Sequence, residues 1–257
     1  MNGVMALIFR LFKILAFVCA FAPQSGICAE PVVPRQVIVV VSESWSASGA
    51  RLFRFERRAG KWEKAKGHIP VVVGEKGMGW GVGIVGGDPI FPIKKEGDGR
   101  APAGLFPLLK VMGYEAVPLA AGFPYEQIVE RTHCVDDPAS ALYTRIVKES
   151  DFNVPASELW KSSELMKRKD DLYKWLVVVG YNMKEPKPGA GSCIFMHIRR
   201  SSGTGTSGCT AMAEKDIVEI LHWLKAEENP VLAQLPLPIY KRFWKEWKLP
   251  DPELLVD

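Results

Sequence analysis

The chain offers mainly strand-forming segments, and three observations lead there. β-branched runs such as "RQVIVVVSES" (residues 35–44) suit buried strands, and strand-length segments recur along the chain. Residues 77–87 hold six glycines in eleven positions, which rules out an ordinary helix. Taken in order, "PVVP" (31–34) is an extended lead-in to the strand at 35–44. A hairpin turning at Ala59-Gly60 follows, then a strand at 71–73. The glycine-rich stretch lacks the strand, helix and acidic residue that a dinucleotide or phosphate loop requires, so that reading is rejected. Residues 97–108 read as a turn leading into a short strand, residues 136–147 and 157–169 have helical character, and residues 173–182 form another buried strand.

In residues 191–200, Cys193, Phe195 and His197 share one face while Ile194, Met196 and Ile198 share the other, which puts His197 at the end of a strand. Ile217, Ile220, Leu221 and Leu224 recur at helical spacing ahead of an Asn229-Pro230 stop, so Cys209 is expected just before a helix. The segment "YKRFWKEWK" predicts an amphipathic helix in a tail, residues 237–257, packed on the domain's own surface.

Residues 1–29 carry two cations, Arg10 and Lys13, then an apolar run at 14–22 and small residues up to Ala29, the pattern of a secretory signal peptide. The run falls short of the roughly 20 apolar residues of a membrane span; an uncleaved anchor starting near Val4 is the alternative. The residues before Cys28 do not resemble an acylation site, so no lipid anchor is expected. Export to the periplasm or cell envelope follows, with no stable membrane insertion after cleavage. One domain over residues 30–236 is the default. Removing Arg10 and Lys13 leaves 31 cations against 29 anions, too balanced to argue for a nucleic-acid partner. A monomer is expected.

Beyond the signal the chain keeps Cys134, Cys193 and Cys209, an odd number for an oxidising compartment. Either Cys209 is a reactive nucleophile or all three are small buried hydrophobes, and counting does not choose between them. The count allows a Cys134 to Cys193 disulfide, but sequence does not fix the distance it needs.

The stretch "HIRRSSGTGTSGCT" (197–210) joins a histidine to a cysteine through a loop of Ser, Thr, Gly and Arg. A thiol attacks carbonyls as the thiolate, which an imidazole or a helix N-terminus favours. His197 can take the thiol proton and return it to a leaving amine, and the Gly208 and Cys209 N–H groups can form an oxyanion hole. A buried, satisfied histidine beside a solvated loop is the competing account. His68, His133 and His222 have no metal-ligand spacing with the cysteines, so no metal is expected. Asp136 and Asp137 are candidates for orienting the base, although Asp and Pro there also suit a turn or helix start.

"HIRRSSGTGTSGCTAM", with "GDGRAPAGLFPL" and "YNMKEPKPGAGSCIFMHI" upstream, resembles the L,D-transpeptidase catalytic domain (YkuD-like) family over roughly residues 37–236. The resemblance implies a mixed, mainly β domain, a β-sandwich or barrel with short helices and a catalytic-cysteine loop. It implies Cys209 as nucleophile, His197 as its base and Gly208 with Cys209 as oxyanion donors, and places Ser207, Thr210, Arg199 and Arg200 against substrate. Where the family signature has histidine before Gly-Cys this chain has Ser207, and where it has arginine two residues after the cysteine this chain has Ala211. Arg199 or Arg200 would replace that arginine, or else both are solvated loop charges. The implied partner is a peptidoglycan stem peptide, with a terminal D-amino acid expelled and the acyl group passed to an amine or to water, without a cofactor. A non-catalytic envelope protein that binds peptidoglycan or a partner, with a structural Cys209, is the alternative. A papain-like peptidase is disfavoured because His197 precedes the cysteine.

Overall fold

A computed structural model describes residues 33–83, 90–118 and 120–256. The expected signal peptide lies outside the described residues, as do residues 84–87 of the glycine-rich stretch. The strands are β1 (Gln36–Ser42), β2 (Gly49–Arg58), β3 (Lys61–Lys64), β4 (Ile69–Val72), β5 (Met78–Trp80), β6 (Ala101–Gly113), β7 (Tyr125–Gln127), β8 (Thr132–Val135), β9 (Ile146–Lys148), β10 (Ser163–Leu165), β11 (Trp175–Val179), β12 (Phe195–Ile198), β13 (Thr210–Met212) and β14 (Val231–Pro236). The α-helices among the described residues are short: α1 (Ala156–Leu159), α2 (Glu214–Trp223) and α3 (Leu237–Phe243).

Eight strands close on themselves in the order β1-β14-β6-β11-β12-β13-β4-β2, with β2 returning to β1. The protein is therefore mainly β, built on a mixed barrel. Closure pairs the strand edges that an open sheet would leave bare. β1 is buried along its whole length because it pairs in parallel with β14 on one side and antiparallel with β2 on the other. The β2–β3 hairpin turns at Ala59 and Gly60, both at positive φ (47° and 82°), which is the geometry that matches strand twist.

Several elements depart from what the sequence predicts. β6 runs for 13 residues rather than a short stretch, because Pro102, Gly104 and Pro107 stay within the pairing, Pro102 opposite Gly79 of β5 and the other two opposite β14. Its Gly104 is required locally: at φ 149°, a Cβ would stand 2.8 Å from the Phe106 ring, which folds over it. Residues 136–147 are turns leading into β9, not a helix. The Asp137 carboxylate accepts the Ala139 and Lys161 N–H groups and holds the chain in a turn. Residues 157–169 hold only the end of one helical turn, α1; beyond it Ser163, Glu164 and Leu165 pair with Val135, Cys134 and His133. Tertiary pairing outweighs the helical pattern there. Cys209 likewise does not sit at a helix start, since β13 separates it from α2.

The alternation of β11 and β12 divides the apolar side chains into two clusters. Trp175, Val177, Val179, Ile194 and Met196 join the larger cluster, which also takes in β1, β14 and the buried face of α2. Leu176, Val178, Phe195 and Cys209 face the other way, against Cys134 and Met166 beside the small β10-β8-β9 sheet. A Cys134–Cys193 disulfide ties that sheet to the segment entering β12. The tail is part of the fold: Ile239, Tyr240, Trp247 and Leu255 belong to the larger cluster, and the Tyr240 hydroxyl donates to the Pro250 carbonyl at 2.7 Å.

Candidate functional site

Between the small sheet and the outer side of β12 and β13 lies a cavity of about 550 Å³, and both His197 and Cys209 line it. The parallel pairing that sets His197 opposite Ala211 brings the histidine alongside the segment that starts at Cys209. Cys209 is the free cysteine among the described residues and is 7% exposed. Its Sγ donates to the Cys193 carbonyl at 3.4 Å and accepts the Phe195 N–H at 3.3 Å. Cys193 reaches this position in a left-handed conformation, φ 54°, held by its disulfide to β8.

Burial, then the nearby Glu164 charge, pushes the Cys209 thiol up to about 12, against the opposing Phe195 N–H, Lys94 and Arg168. His197 is 6% exposed, and burial pulls its imidazole down to about 4 although the Ile198 carbonyl favours the protonated form. Its Nδ1 lies 2.7 Å from that carbonyl. A carbonyl oxygen only accepts, so Nδ1 carries the proton and Nε2 keeps a lone pair. Thus the orienting group is a backbone oxygen. Asp137 is occupied in its turn, while Asp136 lines the cavity with its Oδ1 buried and without a hydrogen bond. The thiol and the imidazole are thus both neutral at rest, and they line the same cavity.

The other expected residues fall into place unevenly. Gly208 lines the cavity at φ 158°, and a Cβ there would approach the Arg100 carbonyl to 3.0 Å. Its N–H, an expected oxyanion donor, is given to Thr206 Oγ1 at 3.1 Å, and that hydroxyl donates to the Cys209 carbonyl at 2.6 Å. Ser207 lines the cavity. Thr210 does not, because its hydroxyl points inward to Gln234 Oε1 at 2.6 Å, so its expected contact with substrate is corrected to a structural bond behind the wall. Arg199 and Arg200 both line the cavity and are tethered, Arg199 to the Pro70 carbonyl at 3.2 Å and Arg200 to Asp170 at 3.3 Å. Ala211 also lines it.

Several lining residues escaped the sequence reading, among them Tyr173, Glu164, Arg168 and Glu96. Tyr173 packs edge-on against His197, ring centroids 5.0 Å apart, and its hydroxyl donates to Glu164. Arg168 lies over the Tyr173 ring at 5.1 Å and grips Asp170 with two N–H groups. Glu96 Oε2 accepts from Tyr143 at 2.5 Å and Ser192 at 2.7 Å. The Tyr173 and Arg168 positions carry no local motif, and Glu164 lay in a stretch patterned like a helix. Among the described residues, no group of three or more His, Cys, Asp or Glu side chains is arranged to hold a metal ion. Comparison with known proteins gives no match: neither a family model, a curated protein nor a solved structure is similar to this chain.

Proposed function

We propose that the protein is an exported thiol acyltransferase acting on peptidoglycan stem peptides, with Cys209 as nucleophile and His197 as base. One observation carries this reading: the free thiol and a histidine whose Nδ1 is held by a backbone carbonyl line one cavity, with a glycine directly before the cysteine. Thioester chemistry needs a thiol, a base and donors for the oxyanion. Proton transfer from Cys209 to His197 makes two opposite charges, and at these buried positions they attract more strongly than they would in water. The thiolate attacks the carbonyl of an L-centred residue, His197 gives its proton to the leaving D-amino acid, and the thioester passes to an amine or to water. For the carbonyl oxygen to be held by the Gly208 N–H, that group has to leave Thr206. Arg199, which lines the cavity and among the described residues is tethered only to the neutral Pro70 carbonyl, suits a carboxylate of a stem peptide.

The test is release of the terminal D-amino acid from a tetrapeptide stem. Wild type releases it; Cys209→Ala folds with the same melting temperature within a few degrees and releases none. A second reading, a peptidoglycan-binding protein with a structural thiol, draws on the bonds of Cys209 to Cys193 and Phe195. Under it Cys209→Ala still binds the sacculus but melts well below wild type.

A further inference from the structure

We propose that Glu164 is the proton acceptor of the second half-reaction, drawing a primary-amine acceptor into the cavity and deprotonating it for attack on the Cys209 thioester. The inference rests on the thiol acyltransfer reading and names the acceptor class for the same site. Glu164 stands on β10, across the cavity from β12. One carboxylate oxygen is fixed, since Oε1 accepts the Tyr173 hydroxyl. Among the described residues Oε2 makes no hydrogen bond, and the side chain keeps 29% of its surface accessible while lining the cavity.

The charges around Glu164 leave it short of a counter-ion. Arg168 Nη1 comes only to 3.9 Å of Oε1, and both Arg168 and Arg200 are engaged by Asp170. Lys94 is paired with Asp98 at 2.7 Å. Asp136 and Glu96 add like charge from neighbouring segments, and Tyr173 contributes a neutral hydroxyl whose own ionisation is suppressed by burial. Burial above all, and then these acids, raise the Glu164 carboxyl above its ordinary value, against the Tyr173 bond and the Arg168 charge. An ammonium group supplies the missing charge, and a carboxylate so raised is a better base towards it.

The step balances without another reagent. The ammonium R–NH₃⁺ gives one proton to Glu164 Oε2, and the freed nitrogen pair forms the C–N bond at the thioester carbonyl. The C–S bond breaks with its electron pair returning to Cys209 Sγ, which receives the amine's second proton through His197. Glu164 then releases its proton to water.

The test uses the full chain, acylated beforehand with a tetrapeptide stem ending in D-alanine, so that each variant's acylation rate drops out. Decay of the acyl-enzyme is followed with two probes: glycinamide, which must lose a proton before it attacks, and hydroxylamine, which is largely neutral near neutral pH. Glu164→Gln keeps an oxygen for the Tyr173 hydroxyl. It should lower the glycinamide rate on the order of 10²-fold and the hydroxylamine rate far less, while Glu164→Asp should restore much of the difference. A glycinamide to hydroxylamine ratio equal to wild type in Glu164→Gln overturns the proposal and leaves the acyltransfer reading standing. Absence of any Cys209 acyl-enzyme in wild type overturns both.

Discussion

The barrel and the small β10-β8-β9 sheet are held by different physics. Barrel strands bury continuous apolar runs and close their own edges, so β1 is held by its neighbours along its full length. In the small sheet, three- and four-residue strands leave most side chains half-buried and are secured by the disulfide, the Asp137 turn and the Glu149 contacts with Arg131 and His133. The cavity lies between the two, with Cys209 and His197 on the barrel side and Glu164 on the other. The nucleophile is thus mounted on the closed barrel, and the group facing it on the small sheet that the disulfide ties to it.

That contrast breaks most sharply at the disulfide. Replacing Cys134 and Cys193 with serine opens a link across 59 residues and should cost about 4 kcal/mol, as estimated from loop closure. Denaturant melts measure the loss, and hydrogen exchange should show it concentrated in β8, β9 and β10 while β1 and β14 stay protected. Uniform loss of protection would mean that the two regions are one cooperative unit.

Acid tests the barrel side. His197 is held neutral down to about 4 against an ordinary value of 6.5, so the unfolded chain binds its proton first as pH falls. Its contribution is fully present above 6.5 and is lost between there and about 4, a change on the order of 3 kcal/mol. The slope of stability against pH over that window should be smaller in His197→Gln; equal slopes would contradict the burial argument. The smallest effect is expected at Thr210→Val, which leaves buried Gln234 Oε1 without its donor and should cost about 1–3 kcal/mol. D-amino acid release should be kept within a few-fold, because the hydroxyl faces away from the cavity.

What sequence made legible follows the same division. The β1 run, the Ala59-Gly60 turn and the two-faced pattern around His197 are local signals, and each is present in the fold. The helix expected over 136–147 is absent and the one over 157–169 is cut down to the end of α1, because strand pairing with β8 decides those segments and no local pattern encodes that partner. β6 hid behind its prolines, and the three residues of β13 are too few to show against the helix that follows. Cys209, His197 and Gly208 were readable as one stretch because they are close in the chain. Glu164, Arg168 and Tyr173 join the cavity only through folding.

The most direct measurement is the intact mass of wild type and Cys209→Ala after brief mixing with a tetrapeptide stem. A gain equal to the tripeptide acyl group, confined to wild type and lost on adding an amine, is the predicted result. An unchanged mass in wild type, with no D-amino acid released, would contradict acyl transfer through Cys209.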